Sequence, residues 1–119
     1  MKHSIPQNLL PIQAAAEIKA RRLVAVSKAG AVYAQPESLV IGASTGFDVP
    51  ADGTVTIAQN GYLLVEYASD ATKGQPLTTA ADGKVEVTTS DKAMFVSLTD
   101  TISGDIGSVV RVFAPVTPA

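Results

Sequence analysis

The chain has no cysteine, so disulfides and thiolate metal sites are impossible. Its one histidine, His3, rules out a multi-histidine metal centre. A histidine-centred catalytic triad would have to be built on that single residue near the chain start, so none is expected. Charged residues make up 17%, below the usual quarter or so of a soluble domain. A surface this poor in charge is expected to be covered in part by a partner, or else to draw its polarity from Ser and Thr. The net charge of −2 and pI of about 5.2 give no electrostatic basis for binding nucleic acid. Lys19, Arg21, Arg22 and Lys28 are the one basic cluster, and it reads as a solvated strand end. No apolar run approaches the roughly 20 residues of a membrane-spanning helix. Lys2 is followed by no apolar signal core or small-residue cleavage site, so export is not expected. Aromatics are only 5% while hydrophobic residues reach 46%, much of it Ala and Val. Such a core, small and β-branched, suits a thin sandwich or barrel.

What is present is alternation at period two, cut by turn residues at regular intervals. It is clearest over residues 73–113. Leu77 and Thr79 alternate up to Asp82-Gly83, a turn pair that suits positive φ. Val85 and Val87 share a face opposite Glu86 and Thr88. Met94, Val96 and Leu98 repeat the pattern, Gly104 to Gly107 turns the chain, and Val110 and Val112 close it. The same grammar occurs earlier, with Leu23 over Leu77, Gly30 over Gly83, Ile41 over Phe95 and Gly53 over Gly107. Half of such a chain buries too little surface to stand alone, so two halves are expected to close on a shared core.

The expected architecture is therefore all-β: a small, internally duplicated β-barrel or sandwich with an extended N-terminal arm. The arm spans residues 1–17, one duplicated β domain spans 18–113 with halves at about 18–68 and 72–113, and 114–119 form a tail. Pro6 and Pro11 break helix in the arm, while Ala-rich residues 12–16 allow a short one. Ile5, Leu9 and Leu10 would be costly to leave in water, so they are expected to be covered by the protein's own barrel or to contact a neighbouring subunit, by strand addition for example. Strands are expected at 23–27, 31–34, 39–43, 54–58 and 62–68. The one at 39–43 should be buried on both faces because Leu39, Val40 and Ile41 run together. In the long irregular piece 44–53, Phe47 and Val49 should fold back on the core.

Catalytic chemistry is sparse. The acidic residues Asp48, Asp52, Asp70, Asp82, Asp91, Asp100 and Asp105 fall singly in turns, where Asp usually bonds local backbone. No D-x-D-x-D calcium loop occurs, and Gly104-Asp105-Ile106-Gly107 lacks the lysine and helix of a phosphate loop. No cofactor, no metal and no enzymatic activity are expected. Ser90-Asp91-Lys92-Ala93 resembles the lysine-bearing hairpin tip of lipoyl carrier domains, which are also duplicated barrels. That resemblance implies a modified Lys92.

A broader resemblance covers about residues 18–113. Lys73-Gly74-Gln75-Pro76-Leu77, Asp82-Gly83-Lys84-Val85, the Thr-rich Val87-Thr88-Thr89, the apolar Met94 to Leu98 and Gly107 to Val112 follow one another. Ile41-Gly42-Ala43 fits the first half. This succession resembles the capsid cement, or head decoration, proteins of tailed phages, with Phe95-Val96 where Ile-Gly is usual. The resemblance implies a virion protein on the outer capsid surface, made in the host cytoplasm, that stiffens the lattice. Its partners would be the major capsid protein and neighbouring cement subunits, as a homotrimer first and a dimer second. Another virion module, such as a fibre or spike base, is the alternative of the same kind.

Overall fold

The computed structural model describes residues 9–36, 38–59, 62–89 and 93–112. Among these residues, ten strands make up two five-stranded antiparallel sheets. The first holds β1 (Leu9–Gln13), β2 (Leu23–Ser27), β3 (Gly30–Tyr33), β4 (Gly42–Ser44) and β5 (Thr54–Ala58), in the order β1-β5-β4-β2-β3. The second holds β6 (Tyr62–Glu66), β7 (Pro76–Thr79), β8 (Val85–Val87), β9 (Phe95–Ser97) and β10 (Ile106–Arg111), in the order β6-β10-β9-β7-β8. The second order is the first with five added to each strand, so the chain is internally duplicated in its pairing.

Isolated bridges repeat as well. Ala14 pairs in parallel with Ala31, as Tyr67 does with Val85, and Ile18 pairs with Val49 as Ala71 does with Thr101. The parallel bridges join the two edges of each sheet, so each sheet curls toward closure.

The register corrects the spacing expected from sequence. Val24 faces Gly42 and Leu77 faces Phe95, so Val24 and Gly42 correspond to Leu77 and Phe95 at a spacing of 53. The backbone bond from Ala14 N–H to the Gly53 carbonyl reappears from Tyr67 to Asp105, which places Gly53 over Asp105 rather than Gly107. The first copy begins with β1. Strand β6, read from sequence as the end of the first half, pairs with β10 in the second sheet.

Residues 12–16 are not helical. Leu9–Gln13 is an edge strand with Leu10 and Ile12 turned toward the core and Leu9, Pro11 and Gln13 exposed. Two of the three alanines that favour helix are claimed by the sheet instead: Ala14 N–H reaches the Gly53 carbonyl and Ala15 N–H the Ala31 carbonyl, both at 2.8 Å. Pro11 lies on the edge strand, where a missing N–H is tolerated. The expected arm therefore joins its own sheet from Leu9 onward, and residues 1–8 lie outside the described residues.

Two apolar clusters form. One is internal to the first half: Ala14, Ile18, Val24, Ala31, Val55 and Ile57, with Leu10, Ile12 and Val49 against them. The other joins the halves: Leu23, Ala25, Ala34, Val40, Ala43 and Ala58 pack with Leu63, Val65, Tyr67, Leu77, Phe95 and Val109. The first sheet is thus apolar on both faces, and the single shared core expected from sequence is replaced by two. A side chain such as Leu23, fully buried, contributes about 1.5–3 kcal/mol by leaving water.

Several face assignments shift by one residue. Phe95 and Ser97 point into the core rather than Val96 and Leu98, Met94 packs against its rim, and Val109 points inward rather than Val110. Leu39 is 88% exposed, outside β4, instead of lying in a doubly buried strand. Val49 folds back through two 2.8 Å bonds with Ile18, but Phe47 is 77% exposed.

Candidate interaction surface

The seam between the halves carries a connected set of polar contacts. Arg22, just before β2, places Nε and Nη2 at 3.3 and 3.2 Å from Glu66 Oε1. Its Nη1 donates to the Asp82 carbonyl at 3.0 Å, and its guanidinium lies 5.4 Å from the centre of the Tyr33 ring. Lys84 Nζ meets Glu66 Oε2 at 3.3 Å. With 11% of its side chain exposed, Arg22 is not the solvated strand-end residue expected from sequence.

Backbone bonds lock the same seam. Glu66 N–H donates to the Arg21 carbonyl at 2.9 Å and Gly83 N–H to the Ala34 carbonyl at 2.8 Å. Gln35 and Asp82 exchange two bonds of 3.1 Å. Asp82 and Gly83 form the expected turn, with φ of +58° and +78°. These contacts explain how two marginal halves hold together; each Arg22 bond is satisfied within the chain, leaving no charge poised for a substrate.

Several carboxylates are also committed. Asp48 Oδ1 accepts Ala20 N–H and Asp100 Oδ1 accepts Lys73 N–H, each at 2.8 Å. The bond recurs at equivalent places in both copies, which marks it as part of the fold. Asp70 Oδ1 accepts Ser103 N–H at 2.8 Å. A shallow cleft of about 410 Å³ between residues 70–75 and 100–102 is bordered by Asp70 and Asp100, already bonded in this way. Among the described residues, no three His, Cys, Asp or Glu side chains gather as a metal site.

Among the described residues, Arg111 is a half-buried cation whose partners are incomplete. Nη2 donates to the Val40 carbonyl at 2.7 Å, tying β10 to the first half, and the guanidinium lies 6.0 Å from the Phe95 ring centre. Its buried Nε has no partner, and burial pushes its pKa below the ordinary value.

Of the contact residues expected from sequence, Leu9 is 57% exposed at the edge of the first sheet. Leu10 is half-buried and serves its own core. Ile5 and the lipoyl-like Lys92 lie outside the described residues.

Sequence reasoning missed an apolar row on the outer face of the second sheet. The register aligns Tyr62 with Val110, Val110 with Val96 and Val96 with Pro76. Tyr62 is 59% exposed and the other three are half-buried. The signal lay in the alternation of β6, β9 and β10, but both faces of those strands are apolar, so alternation alone could not say which faces out.

No protein-family model matches the chain, and no curated protein does. Among solved structures, the chain is similar to the N base of the head fiber gp8.5 of bacteriophage phi29. The TM-score is 0.79 at 18% identity, over 95% of this chain and 100% of that one. At that identity the likeness establishes the fold, an all-β, two-sheet architecture.

Proposed function

We propose that this protein is a non-enzymatic structural component of a phage virion that binds the outer surface of an assembled capsid and stabilises the lattice. The observation that carries the reading is the likeness, over nearly its full length, to the base of a phage head fiber. The commitment of Asp48, Asp70, Asp100 and Glu66 to structural bonds agrees with it. The partners are the major capsid protein and neighbouring copies of the chain, as a homotrimer. Leu9 and the preceding Ile5 make contacts outside the chain, while Leu10 is given to the protein's own core. Individually modest contacts gain strength from repetition, because the lattice fixes many sites at high effective concentration.

A second reading, the base of a head fibre, is favoured by the same likeness. Purified protein mixed with bare heads tests both. Saturable density on the lattice, with heads that withstand higher temperature, is expected of a cement. Saturable density with no gain in heat resistance points to a fibre base. Absence of binding removes both.

A further inference from the structure

We propose that copies of this chain join head to tail, with the outer apolar row of one second sheet covered by the β1 edge and β2–β3 turn of the next copy. The argument starts from an interface already present inside the molecule. In the first sheet the row Leu9, Ala58, Ala43, Leu23 runs across the outer face, because Leu9 pairs with Ala58, Ala58 with Ala43 and Ala43 with Leu23. Ala58, Ala43 and Leu23 are buried there. What covers them is the second half: β4 lies against β6, and the turn at Ala81–Gly83 seats against β2. A Cβ at Gly83 would lie 2.5 Å from the Leu23 carbonyl oxygen, so the fit is close.

The duplicated register gives the second sheet an equivalent row, Tyr62, Val110, Val96, Pro76, and among the described residues no equivalent half seats on it. It gives the first half an equivalent covering surface, β1 with the turn after β2, where Leu9, Pro11, Gln13, Lys28 and Ala29 are exposed. The row and its natural cover are thus on opposite halves of one chain and cannot meet within it. They can meet between two copies. The contact is heterologous, and repeating it gives a ring when the rotation closes.

The charged lock of the internal seam has a neutral counterpart at the new one. Glu66 corresponds to Gln13, since Glu66 faces Ile106 as Gln13 faces Thr54. Arg22 corresponds to Gln75, since their carbonyls accept the N–H groups of Ser44 and Ser97 respectively. An Arg–Glu pair inside the chain therefore becomes two glutamines across the junction, able to bond as amides without adding buried charge.

This gives the homo-oligomer of the proposed function a defined interface, yet its test needs no capsid. Light scattering on the eluting protein across a concentration series is expected to give a mass that is a multiple of 12.2 kDa. Val96→Glu, on the outer face, is expected to yield a folded monomer with a cooperative urea transition whose midpoint does not depend on protein concentration. The doubly substituted Gln75→Arg, Gln13→Glu chain is expected to dissociate at about fivefold lower concentration than Gln75→Arg, Gln13→Arg, in low salt. A monomeric wild type, an oligomeric Val96→Glu, or equal dissociation of the two charged variants overturns the proposal. The last result would mean that Gln13 and Gln75 do not face each other, as in a row-to-row contact. Loss of head binding with the oligomer intact would overturn the capsid reading alone.

Discussion

Gly107→Ala tests whether the two copies have been repacked around different interiors. Gly107 stands opposite Val65 in the second sheet, as Val55 stands opposite Ile12 in the first. A valine fits in one copy and nothing beyond a hydrogen fits in the other. A Cβ at Gly107 would lie 2.2 Å from Thr101 Oγ1, 2.8 Å from Thr99 Oγ1 and 2.9 Å from Tyr67 Cε1. Thr99 and Thr101 hold each other through a 2.8 Å hydroxyl bond, and Thr99 Oγ1 also accepts Ser108 N–H at 3.2 Å. At the places equivalent to Thr99 and Tyr67 the first copy has Phe47, turned out to solvent, and the small Ala14, so two of the three obstructions are missing around Val55. Overpacking of this kind costs about 1–3 kcal/mol, and the fixed hydroxyl pair argues for the upper part of that range. Thr101→Ala removes the nearest obstruction and should cost about 1 kcal/mol alone through its lost hydrogen bond. In urea unfolding, the double variant is expected to fall short of the sum of the two by about 1–2 kcal/mol, within the range for residues in contact. Additivity to within about 0.5 kcal/mol would refute the reasoning, because it would mean that Gly107 and Thr101 do not compete for one space.

Arg22→Ala should destabilise the protein by about 2 kcal/mol, a value kept below that of a fully buried pair because Glu66 retains Lys84 and is 24% exposed. Urea midpoints of Arg22→Ala, Glu66→Gln and the double variant should show coupling between the two; independent effects would mean that the seam is held by its backbone bonds alone. Gly83→Ala should cost more than Gly74→Ala. Both glycines have positive φ, at +78° and +93°, so both variants pay about 1 kcal/mol of backbone strain. Only at Gly83 does a Cβ also strike the first half, 2.5 Å from the Leu23 carbonyl, whereas at Gly74 nothing lies within 4 Å. Equal melting temperatures for the two variants would contradict the docking of that turn.

The duplication was legible because strands and turns are local events. Val24 and Val26, Val55 and Ile57, and Leu63 and Val65 alternate in ways that admit few alternatives to a strand, and Asp82-Gly83 takes the backbone its residue types favour. The register was not legible, for the same locality. Each copy gains or loses a residue in its turns: four residues separate the paired Val26 and Ala31, and five separate Thr79 and Val85. An alignment anchored on glycines therefore drifts, since glycine follows the turn geometry of each copy and not its place in the repeat. The helix expected at residues 12–16 failed on another ground. Alanine's preference for helix is worth a few tenths of a kcal/mol per residue, too little against edge bonds from Ala14 and Ala15 and burial of Leu10 and Ile12.

The site was the harder part, and the reason lies in how a duplicated protein uses one surface twice. Leu23 and Pro76 occupy equivalent positions, as do Ala43 and Val96. Nothing in either pair tells which will be covered within the chain and which will remain open. That depends on which face the other half seats on: among the described residues the second half covers the outer row of the first, and no equivalent half covers the row of the second. Only the three-dimensional arrangement separates the buried row from the open one. Arg22 and Glu66 did differ visibly from Gln75 and Gln13, and the structure gives that difference meaning. A permanent seam tolerates a desolvated ion pair, because its partners never separate. A junction between copies must also exist apart before assembly, and neutral amides cost less to move between water and an interface than full charges do.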